Sequence, residues 1–454
     1  MNDHSNRISR RNFITDSGTT AGGLAAGFTA SSLLNPKTAR SANDDIVVAL
    51  VGCGGMGRAN LRDFIRVPSV KIAAVCDVDD NRLQNALSDV EQARKATDSP
   101  LENIHTTKDF RNILERKDID SVIVGTPDHW HAYVATAACA SGKDVYCEKP
   151  VSHNIEEGKA MIRATRNHKR VMQIGTQQRS GTHFQSAVEQ VRTGALGKVH
   201  VCRTWITSNV SPDGLGNPED SSVPAGVDYD MWLGPAPKRP FNKNRFHYQF
   251  RWFFDYGNGL CNDWGVHLND LILWATGHDA PKSVQAAGGR YVLQDNTDTP
   301  DTLEIMYDYG DFVHIYSIRR SCQGGGFHGK GHGMQFEGTD GILTLDRGGW
   351  TIAPEGSKED PRTEAHQSGS SDQHFPHVVN FLDCVKSRET PVSDIEIAHR
   401  ATVTCHLGNI AYKVGRTIHW DNSAEICVHS DGTPDTRANM HLFREPRKPW
   451  KLEA

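Results

Sequence analysis

At 454 residues, the chain exceeds what one ordinary hydrophobic core organises, so two domains are expected. Its 50 basic and 55 acidic side chains leave a formal charge of −5, which provides no basic footprint for nucleic acid or an anionic membrane surface. The apolar content of 37% suits globular packing without any run of bilayer length, and the 10 cysteines stand singly, against a disulfide framework or a zinc cluster.

The N-terminus reads as an address. Ser9-Arg10-Arg11-Asn12-Phe13-Ile14 is a twin-arginine pattern, followed by a weakly apolar Gly/Ala/Thr-rich stretch at 18–34, then Pro36 and the small-residue site Ala39-Arg40-Ser41. The stretch is too mild and broken for a membrane anchor and fits a Tat signal over 1–41, cleaved after Ser41. The expected destination is the periplasm, with the Tat translocase as partner during export. An unstructured tail is the plain alternative.

From 42 to 176 strands and helices alternate. Strands are predicted at 46–51, 70–76, 121–125, 144–147 and 171–174, with helices at 58–66, 80–95, 109–116, 131–141 and 155–168. Asn154 is placed to cap the last of these, with Glu157 in the capping-box position. This alternation predicts a doubly wound parallel sheet of Rossmann type. The first strand empties into Gly52-Cys53-Gly54-Gly55-Met56-Gly57, and Asp77 closes the second strand twenty residues after Gly57. Each part has a separate job for a dinucleotide: Gly52 permits the tight turn, Gly54 lets backbone approach a pyrophosphate, and Gly57 lets the next helix pack closely with its N-terminus toward the anion. Asp77 accepts from ribose hydroxyls and repels a 2′-phosphate, so NAD is favoured; NADP is the weaker alternative because Arg82 lies nearby.

An exported enzyme meets little free nicotinamide nucleotide. It is therefore expected to hold NAD tightly and to regenerate it within its own catalytic cycle.

Two further clusters carry chemistry. Glu148-Lys149-Pro150 follows the 144–147 strand, where ligands of doubly wound sheets sit, and the Lys149 ammonium suits a developing alkoxide. Pairing of Lys149 with Glu148 at the surface is the non-functional alternative. Asp263 and His267 are four apart on a helix predicted over 263–276 that Gly277 ends, so they share a face. A carboxylate beside an imidazole suits general-base work, and a solvated face or a core histidine is the bland reading. Asp128-His129-Trp130-His131 opens a helix near the expected nicotinamide, while Gln173, Gln177 and Arg179 follow a strand end and could meet sugar hydroxyls. His328 and His332 have metal-compatible spacing, but their Gly-rich setting argues for a loop and no metal is expected.

Beyond 177 the pattern turns to longer strands, at 198–207, 283–294, 302–308, 311–319, 334–337 and 342–346, with turns at Tyr309-Gly310-Asp311 and Gly338-Thr339-Asp340-Gly341. An α+β domain over 177–390 is predicted, built on an open, mainly antiparallel sheet with helices such as 183–193 and 263–276 on one face. Stretches 211–226 and 354–373 read as loops. Helices at 375–387 and 393–413 are expected to return to the first domain, and the tail from Trp420 to be irregular, 391–454 forming the last segment.

The glycine turn, Thr126-Pro127 with His131, Glu148-Lys149-Pro150 and Asp263 with His267, in this order, resemble the glucose–fructose oxidoreductase/inositol dehydrogenase/MocA (Gfo/Idh/MocA) family across nearly all the chain after residue 41. The resemblance implies that Gly52, Gly54, Met56, Gly57, Asp77, Thr126, Pro127, His131, Glu148 and Lys149 surround the cofactor. It implies that Lys149 and His267 handle the reacting hydroxyl with Asp263 beside them, and that the C-terminal sheet, as often in the family, forms a homo-oligomer interface; His129, Gln177 and Arg179, by their positions in the chain, are the candidate contacts to a carbohydrate substrate. The tail resembles that of a longer, often exported bacterial branch. The expected activity is hydride transfer between a sugar or polyol carbon and bound NAD. A redox-neutral glycosidase cycle of oxidation, elimination and re-reduction is the alternative, although exported glycosidase members carry a different histidine motif. A non-catalytic sugar-binding protein is the third reading.

Overall fold

The computed structural model describes residues 45–96, 103–322, 327–356 and 366–452, so the expected signal at 1–41 lies outside the described residues. Six strands, β1 (Ile46–Val51), β2 (Val70–Cys76), β3 (His105–Thr107), β4 (Ser121–Val124), β5 (Asp144–Cys147) and β6 (Met172–Ile174), form an all-parallel sheet in the order β3-β2-β1-β4-β5-β6. This is the doubly wound order expected. Alternate side chains of the sheet enter different cores: Ala49, Val51, Val122 and Val124 face one helical layer, while Val48, Leu50 and Ile123 face the other. Burial on both faces is why these strands are apolar throughout rather than alternating. The chain reverses direction of winding between β1 and β4, which opens a crevice at their carboxyl ends.

The second sheet has ten strands: β7 (Val199–Thr207), β8 (Ser283–Gly289), β9 (Thr302–Asp308), β10 (Val313–Arg319), β11 (His332–Gly338), β12 (Gly341–Asp346), β13 (Gly349–Pro354), β14 (His366–Gly369), β15 (Ile418–Asp421) and β16 (Ile426–Val428). Their order is β14-β13-β12-β11-β7-β10-β9-β8-β15-β16, antiparallel except where β10 runs parallel to β7. Gly310, at φ +95°, makes the predicted turn between β9 and β10. The helices Thr182–Arg192, Gly265–Thr276 and Ile395–Val414 bury apolar side chains in one core with this sheet. Helix His374–Ser387 returns to the first domain, where Val378, Phe381 and Leu382 join the core of Leu50 and Phe64. Asn154 caps Ile155–Asn167 as predicted, accepting from the Glu157 amide at 3.0 Å.

Three expectations are corrected. The tail is not irregular from Trp420: β15 pairs with β8 and β16 with β15, extending the sheet edge because alternate Ile418, Trp420 and Cys427 have a core to enter. The stretch 354–373 contains β14, while 357–365 lies outside the described residues. The predicted helix over 263–276 is two helices, Gly259–Asp263 and Gly265–Thr276, with Trp264 between them. At this break Gly265 comes so close to Tyr316 and Cys405 that a Cβ would lie 3.0 Å from each.

One layer had no forecast. Residues 227–256 fold into a satellite core of Tyr229, Trp232, Phe241, Phe246, Phe250, Phe253 and Tyr256, against which Val78 of the first domain packs. The final residues wrap back: the Trp450 ring lies 4.6 Å from that of Trp130, and Arg444 pairs with Glu157 at 3.0 Å.

Candidate active site

A continuous cleft of about 330 Å³ runs from the glycine turn to the Lys149–Asp263 pair, walled by the first domain on one side and by Trp232, His247, Tyr248 and Arg251 on the other. At the turn, Gly52 has φ +91°, and a Cβ there would lie 2.5 Å from the Gly125 carbonyl carbon. A Cβ on Gly57 would lie 1.9 Å from the Gly52 oxygen, and one on Gly125 2.7 Å from the Gly57 Cα. The three glycines thus share one close contact, of which Gly125 was not anticipated.

Helix Gly55–Ile65 starts at Gly54 without a side-chain cap and without an acid in its first turn, so its dipole and first amides face the cleft uncompensated. Met56 lines the same mouth. The Asp77 carboxylate accepts from the Cys53 amide at 2.7 Å and the Asp79 amide at 3.0 Å. Burial raises its pKa to about 6 against those two bonds, leaving it ionised at neutral pH. Arg82 sits 3.1 Å from the position a Cβ on Gly54 would take, and its Nε lies 3.2 Å from His247 Nε2. An uncapped helix start, glycine close approach and a buried carboxylate fit a dinucleotide's pyrophosphate and ribose.

At the other end, Lys149 Nζ donates to Asp263 Oδ1 and to the Asp263 carbonyl, both at 2.8 Å. Arg251 stands 3.3 Å from Asp263 Oδ2. Burial alone would raise the Asp263 pKa, but Arg251 and Lys149 outweigh it and hold the carboxyl well below its usual range. Asp128 opens helix Asp128–Ala140 on the cleft wall; burial, then the charge of Asp263, raises it to about 7. Glu148 accepts from Asn60 Nδ2 at 2.8 Å, and burial raises its pKa. Burial, then Lys149 and Arg347, keep His267 neutral, far below the ordinary imidazole value. Its Nδ1 is buried without a partner. His267 does not line the nucleotide cleft, but it stands close enough to Lys149 and Asp263 to feel the charge of both.

Thr126 and Pro127 line the cleft as expected. Four other candidates do not. His131 faces the carbonyls of Pro150 at 2.7 Å and Thr126 at 2.9 Å, so it ties those two loops together. His129 is bonded to the Trp232 carbonyl at 2.9 Å and is buried under the aromatic layer. Gln177 donates to Tyr146 and to Glu148 behind the wall. Arg179 forms a buried pair with Asp270 at 2.8 Å, its guanidinium 4.9 Å from the Trp274 ring. Arg251, His247 and Tyr248, by contrast, reach the cleft unforeseen; their one signal was the arginine- and aromatic-rich run at 245–256.

Fold and cleft define a two-domain oxidoreductase with an NAD-binding Rossmann domain. Residues 46–176 match the oxidoreductase family, NAD-binding Rossmann fold, and residues 180–323 match the oxidoreductase family, C-terminal alpha/beta domain. The chain belongs to the Gfo/Idh/MocA oxidoreductase family. It is 29% identical over 283 residues to the uncharacterized oxidoreductase YrbE of Bacillus subtilis, covering 62% of this chain and 69% of that protein. A glycosyl hydrolase family 109 protein of Saccharopolyspora erythraea is 33% identical over 168 residues, 34% of this chain and 36% of its own length. Levoglucosan dehydrogenase, solved with NADH and levoglucosan, shares the fold at TM-score 0.62 and 18% identity, over 83% of this chain and 99% of that one. The WlbA dehydrogenase of Bordetella pertussis, solved with NADH and UDP-GlcNAcA, does so at 0.61 and 16%, over 83% and 99%.

Proposed function

We propose that this protein oxidises a hydroxyl-bearing carbon of a sugar or polyol, with Lys149, Asp263 and His267 as the reacting group of residues. The observation that carries this is the Lys149 ammonium, fixed on Asp263 at 2.8 Å at the inner end of the dinucleotide cleft. A nicotinamide bound in the cleft would supply the acceptor for the hydride of the carbinol carbon. His267, neutral at physiological pH, takes the hydroxyl proton. Lys149 donates a hydrogen bond to the oxygen as negative charge develops there, and Asp263 holds the ammonium in place. Asp77 and the Gly52–Gly57 turn hold the nucleotide.

Tight retention of the nucleotide is part of this reading. The 227–256 layer is fastened to the nucleotide side of the first domain by Asp228 N to Val78 O at 2.9 Å, Asp80 N to Gly226 O at 3.2 Å and His247 to Asp79 at 2.8 Å. The twin-arginine sequence supports export by the Tat pathway to the periplasm with the nucleotide already loaded. Replacing Arg10 and Arg11 by Lys should leave the protein unprocessed in the cytosol. The sheet face carrying Val201, Arg203, Met306, Val313 and Ile315 stays partly exposed and supports homo-oligomer assembly. The same reading divides the chain into a signal at 1–41, a nucleotide domain at 42–176, a substrate and assembly domain at 177–390 and a returning segment at 391–454.

The glycosyl hydrolase relatives favour a second reading, in which oxidation is transient, a glycosidic bond is eliminated and the product is re-reduced. Nucleotide released from the denatured protein is identified by mass spectrometry, and the holoprotein is then incubated with sugars and glycosides without added cofactor. Oxidised sugar supports the dehydrogenase and free aglycone the glycosidase. A protein that neither contains nor binds a nicotinamide nucleotide refutes both.

A further inference from the structure

Trp264, next in the chain to Asp263, carries a second cluster of side chains that does not line the nucleotide cleft. Arg347 follows β12, and its guanidinium carbon is 4.6 Å from the Trp264 ring centroid. His332, the first residue of β11, holds its ring 4.5 Å from the same indole, and the His267 ring is 6.2 Å from it. Arg347 Nε, His332 Nε2 and His267 Nδ1 are all buried and without a hydrogen-bond partner. Asp346, next in the chain to Arg347, is turned to Lys330 and to the Gly348 amide. Asp263 is already shared by Lys149 and Arg251.

Positive charge is therefore in excess here. Lys149 and Arg251 already share Asp263, whose charge is the one that reaches Arg347, while Asp346 is engaged by Lys330. A cation–π contact accounts for an arginine lying on an indole. It does not account for three unpaired buried nitrogens meeting around it, which represent a desolvation cost that a ligand would relieve. A planar guanidinium with an imidazole alongside matches a carboxylate.

We propose that the substrate is an acidic sugar of the uronate or aldonate class, its carboxylate received by Arg347 and His332 while a hydroxyl reaches Lys149 and His267. This rests on the reading of Lys149 and His267 as the reacting pair. The half-buried Trp264 ring is the side chain against which Arg347, His332 and His267 all pack. Neutral sugars lack the group that offsets Arg347 and bind more weakly.

The NAD-loaded protein is titrated calorimetrically with the hexuronates and hexonates and with their neutral counterparts, among them glucuronate against glucose and gluconate against glucitol. Wild type is compared with Arg347→Met and Arg347→Lys, with nucleotide content and melting temperature as controls for folding. The expected result is at least one acid bound about tenfold or more tightly than its neutral partner. That preference weakens with added salt, is lost in Arg347→Met and is partly kept in Arg347→Lys. Equal binding of acids and neutral sugars overturns the proposal. So does an acid preference untouched by Arg347→Met, or failure of every acid to bind. Reduction of the bound nucleotide distinguishes failure of the carboxylate site from failure of the oxidoreductase chemistry. Oxidation of neutral sugars without acid preference sinks the carboxylate site and keeps the oxidoreductase. Arg347-dependent acid binding with no oxidation of any sugar does the reverse.

Discussion

Gly57→Ala tests the nucleotide site without knowledge of the substrate. The added methyl would stand 1.9 Å from the Gly52 oxygen, 3.1 Å from its carbonyl carbon and 3.3 Å from Leu50 Cδ1. To reach ordinary contact at 3.4 Å, the helix start or the turn must retreat by about 1.5 Å, and both are backbone. Gly125, whose own Cβ position is 2.7 Å from the Gly57 Cα, blocks movement on that side. Overpacking of this kind costs about 1–3 kcal/mol, and it falls on the amides meant for the pyrophosphate. If most of it is relieved when nucleotide leaves, affinity drops about tenfold to a hundredfold or more, at 1.4 kcal/mol per tenfold. The assay is nucleotide content of the purified protein and the dissociation constant of reloaded NAD. Gly369→Ala is the control, because nothing lies within 4 Å of its Cβ position on the edge strand β14. Nucleotide content and affinity in Gly57→Ala equal to those of Gly369→Ala would refute the argument.

The reacting residues make separable predictions. Lys149→Met and His267→Gln should each lower kcat by about 10²–10⁴ while nucleotide stays bound, as measured by stopped-flow reduction of the holoprotein. Because Lys149 is, after burial, the largest cause of the depressed His267 pKa, Lys149→Met should also move the acid limb of the residual rate to higher pH. Asp128 should contribute an ionisation near pH 7 to the rate profile that Asp128→Asn removes. Its folded pKa is raised, so the stabilisation from the neutral form is complete below 3.8 and is lost as pH rises to about 7; Asp128→Asn should therefore unfold at higher temperature than wild type above that pH. Buried His129, His131, His377 and His406 behave oppositely. Burial lowers them to about 3, 4, 4 and 3, so their stabilisation is present above 6.5 and is lost as pH falls toward those values. Each should remove about 1.4 kcal/mol per pH unit in that window, read as a steep fall of melting temperature with acidification.

Local grammar made the nucleotide half of the cleft legible. Gly52, Gly54, Gly57 and Asp77 act through backbone conformation and a carboxylate one strand away, and such constraints are written at fixed spacing. Lys149 and Asp263 were legible only as separate candidates, since their 2.8 Å contact joins residues 114 positions apart. His129, His131, Gln177 and Arg179 looked equally reactive on paper. Each instead meets a partner from a distant segment, such as Trp232 for His129 or Asp270 for Arg179, that satisfies it away from the cleft.

The amino-acid order by itself determined the parallel nucleotide-binding sheet, its cofactor turn and the antiparallel second sheet, because periodicity, turns and glycine spacing are properties of neighbouring residues. Only the tertiary structure decided which polar side chains face the cleft, that the aromatic 227–256 layer closes it, and that Arg347 stands unpaired beside Trp264. Those outcomes depend on which distant charge or carbonyl arrives at hydrogen-bonding distance, and burial decides whether a group left without one stays charged.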